Sequence, residues 1–180
     1  MAARGIGVAT TKTKNKMKII TLLLLIPTIA SASLGSSESS CEAKYGKDCA
    51  KGVLRQMFVI PSSSGLAPQT IKGVSTYMTV GEYNKAGLKI EALFLRGKCV
   101  KITYSGSITP KLRTAIMNAN GRSWKRGGMT SKWRTGSRVA VVSPSEISCH
   151  DFVFSRLEDK FKREVKKKEV NHVKEAFKRR

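Results

Sequence analysis

Leu88-Lys89-Ile90-Glu91-Ala92-Leu93-Phe94-Leu95, Arg96-Gly97-Lys98, Cys99-Val100-Lys101-Ile102-Thr103-Tyr104 is a stretch with a two-residue period broken once by a turn. In its first run Leu88, Ile90, Ala92 and Phe94 take one face of an extended chain, and Lys89 and Glu91 take the other. Side chains of a strand alternate between faces, so this pattern marks a strand half-buried against a core. Arg96-Gly97-Lys98 is a turn. The second run alternates again, with Val100, Ile102 and Tyr104 inward and Cys99 on the opposite face, towards a covering segment. Upstream, Thr76 to Tyr83 is rich in β-formers, and Asn84-Lys85-Ala86-Gly87 is a second turn signal. Three runs joined by two short turns predict an antiparallel meander.

Upstream of the meander, Val53 to Ile60 reads as a strand stopped by Pro61, with a helix starting near Asp48 as the alternative, and Pro61 to Gln69 reads as a loop rich in proline and serine. Glu38 to Tyr45 reads as a short helix ended at Gly46, which suits the left-handed position after a helix. Downstream, Thr109-Pro110 opens a helix, threonine as cap and proline at the first helical position; Asn118-Ala119-Asn120-Gly121 closes it, with Leu112, Ile116 and Ala119 as its stripe. Val139 to Val142 and Ile147 to Phe154 are the last strands. A long basic helix from Ser155 to Lys178 follows, with Ser155-Arg156-Leu157-Glu158 fitting a capping box. Its stripe of Phe154, Leu157, Phe161 and Val165 should dock on the sheet, while Val170, Val173 and Phe177 form a second stripe rotated from the first. The expected fold class is α+β: an antiparallel meander packed by short helices, with a long basic C-terminal helix.

The N-terminal stretch sets the expected address. Arg4, Lys12, Lys14, Lys16 and Lys18 precede an apolar run from Ile19 to Ile26; Pro27 follows, and Ala30-Ser31-Ala32 offers small residues for cleavage. This is the layout of a secretory signal, and the run falls short of the roughly 20 residues a membrane-spanning helix needs. Met17 is an alternative start, and a mitochondrial leader is the rival reading, although Arg4 is the only arginine before residue 33. The expected organisation is therefore a signal peptide at 1–32, a flexible spacer at 33–40, an α+β domain at 41–154 and a basic helix at 155–180, with export to the periplasm or beyond.

The chain carries 34 Lys and Arg against 12 Asp and Glu, a net +22. Five of the cations and none of the acids lie in residues 1–32, so the chain from Ser33 keeps +17. Such a charge favours anionic partners, unless it only solubilises the surface. Cys41, Cys49, Cys99 and Cys149 are disulfide candidates in an exported chain, with three possible connectivities; buried unpaired thiols are the alternative. No cysteine spacing suits zinc, His150 and His172 lie far apart in sequence, and neither a metal nor a cofactor is implied.

The best binding candidate is the acid-free stretch 122–138, with Arg122, Trp124, Lys125, Arg126, Lys132, Trp133, Arg134 and Arg138. Cations beside aromatics suit single-stranded nucleic acid or a lipid headgroup layer. The competing reading is a hairpin whose tryptophans turn inward to cap the sheet. The basic tail carries Lys166-Lys167-Lys168, which suits an anionic membrane, a partner helix, or a solvated face with ion pairs such as Glu164 to Lys168. His150-Asp151 resembles half of a catalytic arrangement, but no nucleophile elbow accompanies it.

In element order the chain resembles a loose group of small exported bacterial proteins of uncharacterised role, numerous in verrucomicrobial genomes. The residues carrying the likeness are Tyr45-Gly46-Lys47, Leu88-Lys89-Ile90-Glu91, Gly97-Lys98-Cys99, Ile102-Thr103-Tyr104, Asn118-Ala119-Asn120-Gly121, Trp124 and Trp133. The layout is also similar to the helix-plus-sheet domain of outer-membrane assembly lipoproteins and secreted β-lactamase inhibitor proteins, although no lipidation cysteine follows the apolar run here. The resemblance implies a fold and an address, and no catalytic residue. The resulting expectation is a non-enzymatic periplasmic or cell-envelope binding module. Its partner would be an envelope protein or an anionic surface of lipid, glycan or nucleic acid. The alternatives are a cationic module acting directly through 122–138, and an enzyme of unrecognised type.

Overall fold

Eight strands form one sheet in a computed structural model that describes residues 33–61, 68–128 and 131–178, the last eight of these by backbone alone. In chain order the elements are α1 (Glu38–Tyr45), β1 (Leu54–Met57), β2 (Thr76–Lys85), β3 (Leu88–Leu95), β4 (Lys98–Gly106), α2 (Pro110–Asn120), β5 (Lys125–Arg126), β6 (Lys132–Thr135), β7 (Arg138–Val142), β8 (Glu146–His150) and α3 (Phe152–Lys178). Every strand pair is antiparallel, in the order β1-β2-β3-β4-β8-β7-β6-β5. Two meanders thus meet at the β4–β8 pair, and α2 carries the chain from the middle of the sheet to its far edge. The fold is α+β, as the alternating runs predict.

The first meander closes by two-residue turns. Ala86 and Gly87, then Arg96 and Gly97, all have positive φ, the geometry that matches the twist of paired strands. Facing residues Tyr83, Ile90 and Tyr104 share one face, with Ala92 opposite Ile102. Tyr83 lays its ring over Gly81, where a Cβ would stand 2.6 Å from the phenol oxygen. A bulge at Leu93/Phe94 pairs Phe94 with Cys99 and leaves Val100 as the extra residue. That one-residue shift corrects the expected placement of Cys99. Cys99 joins Ile102 and Tyr104 in the main core, and Val100 turns to the other face with Met78, Val80, Leu93 and Phe154.

The main core lies beneath α1 and α2 and holds Ile90, Phe94, Ile102, Ile116 and Ile147. Beneath it Asn120, fully buried, ties three segments together. Its Nδ2 donates to Ile116 O (2.9 Å) and Tyr104 Oη (3.2 Å), its Oδ1 accepts from Leu34 N (3.3 Å), and Tyr104 and Tyr45 hydroxyls pair at 2.9 Å. Residues 33–37 are accordingly held, not a flexible spacer: Leu34 is buried, Gly35 N donates to Cys99 O (2.8 Å), and Cys99 N donates to Ser36 O (2.9 Å). Helix α1 starts at Glu38, as expected, capped by Ser37, so the folded part begins before the expected boundary at residue 41.

Among the described residues the second face is covered at one end, by α3 together with Met57 and Phe58. The helix begins at Phe152, three residues before the expected start, and shortens the last strand to Glu146–His150. Asp151 caps it, with Oδ1 accepting from Phe154 N (2.9 Å), so Ser155 opens no capping box; its hydroxyl donates to Asp151 O. Phe154 is buried, and Phe58 lies 5.2 Å from Phe154 and 6.0 Å from Phe161, so the expected docking stripe is in place. Burying a phenylalanine of this kind contributes about 1.5–3 kcal/mol. The helix ion pairs are Lys162–Glu158 (2.8 Å) and Lys167–Glu164 (2.9 Å), in place of Glu164 to Lys168. Among the described residues no helix is long and apolar enough to cross a membrane. The expected signal peptide, most of the expected Pro61–Gln69 loop, and the side chains of Val173 and Phe177 lie outside what the structure describes.

Candidate functional site

The β5–β6 hairpin places residues 122–138, and its register divides them. Lys125 faces Arg134 and Arg126 faces Trp133, while Lys132, Trp133 and Arg134 face Val141, Ala140 and Val139 of β7. Paired residues share a face. Trp133 and Arg126 therefore lie on the side of α2, and Lys125, Lys132 and Arg134 lie on the opposite side. The expected joint surface of rings and cations is split by the period-two alternation of the strands.

Both tryptophans are half-buried and pack on the main core, beside Leu112 and Val142. Trp124 also donates from Nε1 to Met117 O at 2.7 Å, joining Gly121 N on that carbonyl at the end of α2. Arg138 is a structural ligand for the backbone, with Nη1 donating to Asn120 O (2.7 Å) and Nη2 to Leu34 O (3.3 Å). Arg122 is exposed at the helix exit, and its carbonyl accepts from the Thr135 hydroxyl.

On the α2 side the tryptophans wall an open groove of about 350 Å³. Its other lining comes from Arg113, Thr114, Met117 and Asn118 of α2, with Ser123 and Val142. Arg113, Met117, Thr114 and Asn118 fall on one side of α2 because they are three and four residues apart. Sequence reading missed them; the signal was that spacing, but the hairpin they face comes from a non-local pairing. Arg113 Nε is buried without a hydrogen-bond partner, an unusual state for a charged group's donor. The groove thus presents two indole walls, aliphatic carbons and a guanidinium, a combination suited to an apolar side chain accompanied by a negative or carbonyl oxygen.

On the opposite face, Lys125, Lys132 and Arg134 are exposed beside the half-buried Val139 and Val141. Inward from them, the Thr103 and Ser148 hydroxyls pair at 3.2 Å, and Arg55–Glu91 (3.0 Å) and Lys89–Glu82 (3.8 Å) lie at the far side of the sheet.

His150 is buried at the end of β8, its ring 5.5 Å from that of Phe154. Burial holds its imidazole below the ordinary 6.5, with Glu158 opposing. Asp151 spends its carboxylate on the helix cap. The four cysteines are free thiols: Cys41, Cys99 and Cys149 sit in the main core and Cys49 is exposed. Burial pushes Cys41 up to about 11 and Cys149 up to about 12, and raises Cys99 as well. Among the described residues no group of three histidine, cysteine or carboxylate side chains is placed to hold a metal ion. No protein-family model, curated protein or solved structure matches the chain.

Proposed function

We propose that the chain is an exported, non-enzymatic binding module of the periplasm or cell envelope, and that it recognises a protein partner through the groove between α2 and the tryptophan hairpin. The observation that carries this is the pair of half-buried tryptophans walling an open groove beside Arg113. A volume of about 350 Å³ lies at the small end of ligand sites, which begin near roughly 300 Å³, and suits one or two anchoring side chains. Export rests on residues 1–32 alone. The non-enzymatic reading is supported by the use of Asp151 as a helix cap and by the packing of His150 against Phe154, which leave that pair without the orienting geometry of a catalytic dyad.

A second reading has its own observation. Lys125, Lys132 and Arg134 gather on one face, which favours direct contact with an anionic surface. Stacking of single-stranded nucleic acid on the tryptophans is disfavoured there, since the rings are on the other face.

A photo-crosslinking residue at Asn118, in the groove, compared with one at Asn84, exposed on the other face, tests the proposal. A discrete protein adduct formed in the envelope from position 118 alone, and lost with Arg113→Ala, is the expected result. Equal adducts from both positions, or none, refute it. Salt-sensitive binding that follows Lys125, Lys132 and Arg134 instead supports the second reading.

A further inference from the structure

Three hollows follow one another along the outer flank of α3. The first, about 750 Å³, has Val74, Val100 and Leu157 in its lining and the exposed Arg96 and Lys98 beside them. The second, about 420 Å³, shares Gly73, Val153 and Leu157 with the first and extends to Phe152, Arg156 and Lys160. The third, about 510 Å³, shares Arg163 with the second and adds Lys166, Lys167 and Val170. They make one furrow with aliphatic patches and cations on its borders.

The helix supplies the furrow's order. Phe152, Arg156, Lys160, Arg163, Lys167 and Val170 recur every three or four residues, so they form one stripe, opposite the side on which Phe154 and Phe161 dock. All six are exposed; Phe152 keeps 51% of its surface and Val170 43%. The Arg156 guanidinium sits 5.4 Å from the Phe152 ring, and Lys160 Nζ donates to Gly73 O (3.1 Å), which fixes the furrow's wall. Asp151, the acid that lines the hollows, is committed as the helix cap; on the helix itself the exposed Asp159 lies between Arg156 and Arg163, and Glu164 pairs with Lys167, so Arg156, Lys160, Arg163 and Lys166 leave the stripe an excess of cations. From Phe152 to Val170 the stripe runs about 27 Å.

Cations interleaved with exposed apolar side chains along a line fit a surface that has phosphates outside and hydrocarbon a few ångströms beneath. Nucleic acid fits less well, since successive bases need successive flat rings to stack on, and the stripe offers the Phe152 ring alone, already beside the Arg156 guanidinium. We infer that the outward stripe of α3, from Phe152 to Val170, lies on a membrane surface carrying anionic phospholipid. This does not depend on the groove reading.

The test is co-sedimentation of the chain from Ser33, which holds the whole described fold, with vesicles of phosphatidylglycerol and phosphatidylcholine in equal parts, and with phosphatidylcholine alone. The expected result is binding to the anionic vesicles that weakens with salt. Changing Arg156, Arg163 and Lys166 together to serine should reduce it by about a hundredfold, and Phe152→Ser by about tenfold. Changing Lys47, Lys51 and Lys111, exposed cations outside the α3 stripe, to serine removes the same charge from elsewhere and should alter binding by less than about threefold. Circular dichroism confirms that each variant keeps its helix. Equal losses from the two triple variants would show that net charge alone acts, and would overturn the inference. So would equal binding to neutral vesicles, or no binding at all.

Discussion

Gly121 is the position at which one methyl group tests the whole account of the tryptophan hairpin. Its φ of 175° is ordinary extended backbone, so alanine there brings no conformational strain, and the cost is purely steric. A Cβ would overlap the Thr135 Cγ2 methyl and stand 2.8 Å from Trp124 Cζ2. Neither neighbour can turn aside without loss. Thr135 uses its hydroxyl on the Arg122 carbonyl, and Trp124 donates to Met117 O. Overpacking by one methyl costs about 1–3 kcal/mol, and weakening the indole hydrogen bond costs about 1 kcal/mol more. Gly121→Ala should therefore destabilise the chain by about 2–4 kcal/mol in urea unfolding, with an unchanged m-value, and shift tryptophan emission to the red as Trp124 moves outward. Thr135→Ser removes the clashing methyl and keeps the hydroxyl. The double variant should thus recover about 0.5–2 kcal/mol relative to the sum of the single changes. A loss below about 0.5 kcal/mol with no coupling between the two sites would refute the close packing of α2, Trp124 and β6.

Asp151→Ala should cost about 1 kcal/mol, Asp151→Asn much less, and Ser155→Ala less than Asp151→Ala, because the cap lies at Asp151; thermal unfolding reads the order. His150 is neutral in the fold and its pKa is depressed, so its contribution is complete above about pH 6.5 and is lost as pH falls below that value. Stability followed from pH 7 to 5 should decline, and His150→Gln should flatten the decline. The raised thiols act in the opposite sense. Cys41 and Cys149 stabilise the fold below their ordinary 9.0, and this is lost as pH rises towards about 11 and about 12, each by up to roughly 1.4 kcal/mol per pH unit. In the reduced native chain a thiol reagent should modify Cys49 quickly and reach Cys41, Cys99 and Cys149 only on unfolding; rapid labelling of all four would contradict their burial.

Much of the fold is legible from particular residues. Leu88, Ile90, Ala92 and Phe94 show a strand, Ala86-Gly87 and Arg96-Gly97 show its hairpins, and Thr109-Pro110 shows the start of a helix. Each of these signals is local, set by a period or by a backbone preference. The places where reading fails are those where a partner decides. Cys99 changes faces because a bulge inserts Val100, and a bulge depends on the opposing strand. Helix α3 begins at Phe152 because Asp151 ends a strand paired to β4 and β7, and capping follows from where the strand stops. Leu34 is held by Asn120 and Arg138, which are far from it in sequence.

The candidate sites follow the same division. That rings and cations crowd residues 122–138 and that α3 is basic follows from the order of residues alone, because composition needs no geometry. What those residues can do together depends on contacts between distant segments. Pairing of β5 and β6 sends Trp133 and Lys125 to opposite faces. The return of α2 to the far edge of the sheet gives the tryptophans Arg113 and Met117 as neighbours. Docking of Phe154 and Phe161 leaves the Phe152–Val170 stripe facing outward. Alternation along a chain is a local property, but which face meets solvent depends on packing between segments distant in sequence.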